Sequence, residues 1–272
     1  MIIIFDTYSG LCNQFYDILC GINFCIVNNI KFTFRYCAFR NKNLVSFYMK
    51  DFNTLFDTRF LEKYSDLYVK FDSFTFLNNE NTFNLSSERS IDLFTDNFLH
   101  EIKSIDKEFI ILKQFFPVYN FTLVVDDLYS QLKPCDRLMN IYKNMKNKII
   151  INNEKYNFLH YRYENDFTNH FKVEVEDLYS ILLNVKSKFK NPNLKIYIAT
   201  SSIKSLIKNN HELNEIILMK NEDDDDLLNL NYEELAFIDY MFGLESEEVF
   251  GHSKSSFSHM QNNLKRTCNF YA

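Results

Sequence analysis

The chain has 272 residues, 46% hydrophobic and 24% charged, the balance of a folded protein with one large or two small domains. Lys and Arg number 30 against 36 Asp and Glu, a net charge of −6, which disfavours phosphate-backbone contact and hence nucleic acid as a partner. Four glycines leave no GxGxxG and no Walker-type phosphate loop. The excess of Phe and Tyr reads as the codon usage of an AT-rich genome, not as mechanism.

In chain order, Ile2 to Phe5 is a continuous apolar run, as expected of a strand buried on both faces. Phe15, Ile18, Leu19, Ile22, Cys25 and Ile26 then recur at helical spacing, and Phe32, Phe34 and Tyr36 alternate with period two. Together they predict a βαβ unit and a parallel sheet. Residues 44–145 mix helical patterns without clear boundaries. Beyond Asn147 the rhythm sharpens: strand Tyr156 to Arg162, helix 176–188, strand Lys195 to Ala199, helix Ser202 to Asn209, strand Glu215 to Met219. Helix Tyr232 to Leu244, strand Glu247 to Gly251 and a helix from Ser255 complete it. Such alternation predicts a doubly wound α/β domain whose ligand lies beyond the carboxyl ends of its strands. The expected division is 1–147 and 148–272.

Four constellations carry candidate chemistry. Gly10-Leu11-Cys12-Asn13-Gln14 joins the first strand to the first helix. The helix N-terminus there suits an anionic or polyhydroxylated ligand, Gly10 allows close approach, and Asn13 can cap the helix or reach the ligand. The same residues also read as an ordinary βα turn. In His160-Tyr161-Arg162-Tyr163-Glu164-Asn165-Asp166, period two puts His160, Arg162 and Glu164 on one face. The Arg162 fork fits a diphosphate and His160 fits sugar hydroxyls, or Arg162 and Glu164 are only an ion pair. Asp239, inside an apolar helix, needs a partner, either a ligand or a buried donor. Gly251 to Ser258 reads as strand end, turn and new helix, an anion cradle or a Ser-rich cap. The acidic run 222–226 is better read as a solvated loop than as a DxD metal site.

These residues resemble the motifs of the O-fucosyltransferase-like glycosyltransferases, the group of protein O-fucosyltransferases and of plant O-fucosyltransferase-like and rhamnosyltransferase relatives. Gly10-Leu11-Cys12-Asn13-Gln14 is similar to the family's G-x-x-N-Q turn, with Ser9 where a further glycine is usual. Asp51-Phe52-Asn53-Thr54-Leu55-Phe56-Asp57 resembles its F-x-x-x-F-D segment, and His160 to Asp166 the plant branch's H-L-R-[FY]-E-x-D. Ile198-Ala199-Thr200, Ile238-Asp239 and Ser255-Ser256-Phe257 fall where the family has A-T, its helix aspartate and S-S-F. The ordered set spans about residues 5–260.

The resemblance implies a GT-B fold of two facing Rossmann-like domains, nucleotide-sugar donor in the C-terminal one and acceptor at the N-terminal one. It implies inversion at the anomeric carbon with no metal or other cofactor. Arg162 would then contact the donor β-phosphate, His160 the ribose and Asp239 the base. Ser255, Ser256 and Phe257 would cradle the diphosphate, and Asn13 would lie by the transferred sugar. A general base would come from Asp6, Glu164 or Asp166. The donor implied is GDP-fucose, with UDP-rhamnose as the alternative, and the acceptor is a glycan or protein hydroxyl. A nucleotide-sugar-binding protein without catalysis is the rival from another class. Met1 to Asp6 has no basic start and no run approaches the roughly 18 residues of a membrane span. The six cysteines form no CxxC pair. Both point to a cytoplasmic protein with free thiols.

Overall fold

The computed structural model describes residues 1–40, 46–71, 77–78, 80–86, 96–113, 128–163, 165–174, 176–200, 213–221, 223–265 and 268–271. They form two compact units. One comprises Met1–Asp136 with Asn231–Glu233, the other Arg137–Leu230 with Glu234–Ala272.

The first unit begins with β1 (Ile2–Thr7), followed by α1 (Leu11–Asn28) and β2 (Lys31–Arg40). The apolar run of β1 is buried, and β1 lies at the centre of its sheet between β2 and β5 (Phe109–Lys113), parallel to both. α1 ends where Asn29 turns left-handed at φ 53° and the chain folds back onto Cys25 and Ile26. With β3 (Phe47–Asp51) and β4 (Thr82–Ser86) the order is β3-β2-β1-β5-β4, parallel except for β3. Register slips at Arg35 between Phe34 and Tyr36, a bulge that turns Arg35 toward Asp6.

Phenylalanines fill this core. Phe5 stacks on Phe34 at 5.3 Å, Phe34 on Phe52 at 4.9 Å and Phe52 on Phe56 at 4.7 Å, with Phe15 edge-on to Phe56 at 5.8 Å. Aromatic pairs add about 0.5–1.5 kcal/mol each beyond burial. The two phenylalanines of the F-x-x-x-F-D segment therefore serve packing, and its Asp57 is tied to Arg59 at 2.8 Å.

The second unit holds α3 (Asp136–Ile149, following α2 at Asp96–Ser104), β6 (Tyr156–His160), α4 (Asn165–Phe171), α5 (Leu178–Lys186), β7 (Lys195–Ala199) and β8 (Ile217–Leu218). It ends with α6 (Tyr232–Glu245, whose first two residues belong to the first unit), β9 (Val249–His252), α7 (Ser256–Lys265) and β10 (Cys268–Tyr271). All five strands are parallel in the order β10-β9-β6-β7-β8. Relabelled by entry into this sheet, that is the doubly wound order 3-2-1-4-5, whose reversal point lies between β6 and β9. On one face Leu159, Tyr161, Ile196, Ile198 and Phe250 pack against Leu178, Ile181, Leu182 and Val185 of α5. On the other, Tyr197 stacks on Phe242 of α6 at 4.2 Å, and Phe158 on Phe257 of α7 at 6.3 Å.

The α/β class and the doubly wound pattern hold. The strand expected over Tyr156 to Arg162 stops at His160, which leaves Arg162 in the loop beyond. The strand expected over Glu215 to Met219 is instead a helical turn, Leu213–Ile216, running into the two-residue β8. β10 was not expected at all. The helix expected over Ser202 to Asn209 lies outside the described residues.

Candidate functional site

In the second unit, the chain leaves β6 and β9 at the point of topological reversal, where open α/β sheets bind ligands. His160, the last residue of β6, pairs in register with Gly251 of β9. Gly251 has to lack a side chain, because a Cβ there would come within 2.6 Å of Ser258 Cβ on α7. That close approach brings Ser258 Oγ to 3.0 Å from His160 Nδ1 and lays Phe257 against the His160 ring at 4.3 Å. Burial, then the charges of Arg162 and His252, hold the His160 pKa well below its ordinary value. The imidazole is neutral at physiological pH.

Arg162 is half-buried two residues beyond His160, its guanidinium over the Phe167 ring at 5.2 Å. The Tyr271 hydroxyl fixes the backbone on both sides: it donates to the His160 carbonyl at 2.6 Å and accepts from the Arg162 N–H at 3.1 Å. The unforeseen β10 thus has a role, to hold the loop that carries Arg162.

Ser255 is buried, and its N–H donates to the His252 carbonyl at 3.0 Å. Ser256 and Phe257 open α7, so the helix start presents its N–H groups beside the end of β9. His252 is 1% exposed; its Nδ1 accepts the Lys254 N–H at 3.1 Å, while its buried Nε2 has no hydrogen-bond partner among the described residues. Glu164 and the side chain of Asp166 lie outside the described residues.

The Asp239 carboxylate, 6% exposed, accepts the Tyr197 hydroxyl at 2.8 Å and forms an ion pair with Lys220. Of the two partners open to it, a buried donor is therefore present.

In the first unit, the G-x-x-N-Q turn resolves into separate duties. Gln14 is fully buried and holds the turn together: its amide donates to the carbonyls of Ser9 (3.0 Å) and Ala38 (2.8 Å), and its Oε1 accepts from Thr7 (2.7 Å) and the Ala38 N–H (3.2 Å). Ser9 sits at φ 72°, a conformation that favours glycine, and its Oγ accepts from Asn13 Nδ2 at 2.9 Å. Gly10 makes room for a guanidinium, since a Cβ there would lie 3.0 Å from an Arg40 Nη. Arg40 is held by Glu233 at 2.6 Å through both its Nε and its backbone N–H, and lies over the Tyr232 ring at 4.2 Å. Asp6 accepts both arms of Arg35, so it is an ion-pair partner and not an open general base.

Arg40 and Lys220 escaped sequence reasoning. Glu233 lies 193 residues from Arg40, and no local pattern marks Lys220.

No family model matches the sequence, and no curated protein matches it. Solved structures do match in fold. POFUT1 in complex with GDP aligns over 100% of this chain and 98% of its own, with a TM-score of 0.70 at 13% identity. POFUT1 in complex with GDP-fucose aligns over the same shares with a TM-score of 0.67 at 13% identity. The fucosyltransferase NodZ from Bradyrhizobium aligns over 97% of this chain and 92% of its own, with a TM-score of 0.59 at 10% identity. The GT-B-like fold of two Rossmann-like units is shared with these proteins across the whole chain.

Proposed function

We propose that the protein is an inverting, metal-independent glycosyltransferase that moves fucose from GDP-fucose to a hydroxyl acceptor. The observation that carries this reading is the cluster at the ends of β6 and β9: a neutral buried His160, the Arg162 fork and the start of α7. It occurs on a fold shared, end to end, with proteins solved with GDP and GDP-fucose.

In this reading the donor diphosphate lies over Ser255, Ser256 and Phe257, where helix N–H groups meet its charge. The acceptor oxygen bonds to the anomeric carbon as the bond to the β-phosphate oxygen breaks, and the acceptor proton passes to a base. Arg162 and the α7 start stabilise the negative charge that grows on departing GDP. Neutral His160 suits a ribose hydroxyl, since it adds no charge to the site. On the acceptor side, Asn13 beside Gly10 and Arg40 offers polar groups to the transferred sugar. The carboxylates of the Glu164–Asp166 segment supply the general base, and the protein works in the cytoplasm.

The test is GDP release from GDP-fucose with glycan and peptide acceptors. Arg162→Lys keeps the charge but loses the paired fork, and losing one preorganised donor to a developing oxyanion costs on the order of 10²–10³ in kcat. Arg162→Ala should fall further, with the circular dichroism and melting curve of both variants unchanged. Near-normal turnover in both would end this mechanism, and GDP-fucose bound without turnover under any acceptor would favour a binding protein.

A further inference from the structure

Lys220 presents a problem that the fold alone does not solve. Its side chain is 9% exposed, and among the described residues the ammonium has one partner, the Asp239 carboxylate. A lysine ammonium carries three N–H donors, and burying such a charge is costly unless its donors are met. Two of them meet no acceptor among the described residues.

The sheet fixes where those donors lie. Tyr197 pairs with Leu218, and His160 with Ala199. Lys220 lies two residues beyond Leu218, in the chain leaving the carboxyl end of β8, on the same edge of the sheet as the ends of β6 at His160 and β7 at Ala199. Asp239, itself bonded by the Tyr197 hydroxyl, anchors the lysine from the α6 face, the same face on which His160 meets Phe257. From β9 to β8 is three strand spacings, roughly 14 Å at about 4.8 Å each. That is the reach of an extended nucleoside diphosphate laid across the strand ends, with its phosphates at the α7 start and its base toward β8.

Resting on the donor reading above, we infer that Lys220, aimed by Asp239 and Tyr197, is a specificity-determining residue that donates to a carbonyl oxygen on the donor's nucleobase. A purine with oxygen at C6 is accepted, and one without it loses the contact. The ammonium offers no acceptor, so an exocyclic amino group at the same place meets donor against donor.

The experiment titrates the full-length protein calorimetrically with GDP and with 2-aminopurine riboside 5′-diphosphate, which lacks the C6 oxygen. A hydrogen bond to a charged group predicts that Lys220→Met weakens GDP binding roughly tenfold to a hundredfold, while binding of the 2-aminopurine nucleotide changes by less than about threefold. Because Lys220→Met removes the counter-charge of the buried Asp239 carboxylate, Lys220→Met with Asp239→Asn is measured beside it and should show the same selective loss. Equal weakening of both nucleotides would make Lys220 a structural cation and overturn the base contact. So would GDP affinity unchanged in either variant. If the unmodified protein binds GDP without preferring it over the 2-aminopurine nucleotide, the base contact fails alone. If it binds neither, the donor reading fails with it.

Discussion

His160 is a base that the fold keeps from its proton. Buried against Phe257 and bonded to Ser258, it has a pKa held well below the ordinary value, first by burial and then by Arg162 and His252. In the unfolded chain the same imidazole titrates near 6.5. As pH falls through that value the unfolded chain takes up a proton that the folded chain does not. The stabilising contribution of neutral His160 is therefore complete above about pH 6.5 and is lost as pH falls toward the folded pKa. The slope reaches about 1.4 kcal/mol per pH unit for one proton. His160→Gln removes this titration, so its stability should depend less steeply on pH between about 5 and 6.5. Urea unfolding of both proteins across that range reads the difference directly. Parallel profiles would mean that the folded protein protonates His160 freely, and the neutral sugar contact would go with it. His252 has the same sign, its pKa lowered by burial, Lys254 and Arg162, so the variant flattens the profile without abolishing its slope.

At the scale of elements, the close packing of β9 against α7 sets the site. Gly251→Ala would drive a methyl into Ser258, and overpacking of this kind typically costs about 1–3 kcal/mol. Ser258→Gly removes the obstructing Cβ and should restore part of that loss, although glycine within a helix itself costs about 1 kcal/mol. Thermal melts of the two single variants and the double decide it: additive losses would show that β9 and α7 are not in hard contact here. This packing was invisible in the sequence, where Gly251 read only as a strand end before a Ser-rich turn. Runs with one strong period were legible: β1, α1, β7 and α6 fall where apolar spacing puts them. β8 was not, because Glu215 to Met219 is an apolar run too short to tell helix from strand. β10 has four residues, two of them exposed, so no buried stripe announces it. The candidate site was legible where a motif is contiguous, as in His160 to Arg162 and Ser255 to Phe257. It was illegible where pairing is long-range, as in Arg40 with Glu233 or Lys220 with Asp239.

For the molecule as a whole, the proposed activity requires a protein of net charge −6 to accommodate a donor diphosphate. Either a divalent cation bridges the phosphates to acidic residues, or fixed positive groups meet them locally. In the densest acidic stretch, Asp223 to Asp226, the carboxylates of Asp224 and Asp226 are engaged elsewhere. Asp224 accepts the Asp226 N–H at 3.0 Å as the cap of a short helical turn, and Lys148 reaches Asp224 at 2.8 Å and Asp226 at 3.1 Å. That hydrogen-bonded ammonium holds the Asp224 carboxyl below its ordinary range. Competition from Lys148 makes this stretch a poor cation ligand. The opposite end of the balance is well supplied, by the Arg162 fork and by the α7 start beside Ser255. GDP release from GDP-fucose should therefore change by less than about twofold when EDTA is added, and Mn²⁺ should not stimulate it. Asp223→Ala and Asp225→Ala should turn over normally. Activity abolished by chelation, restored by Mn²⁺ and missing from those two variants would mean that a bridging cation, and not Arg162, carries the charge of the leaving diphosphate.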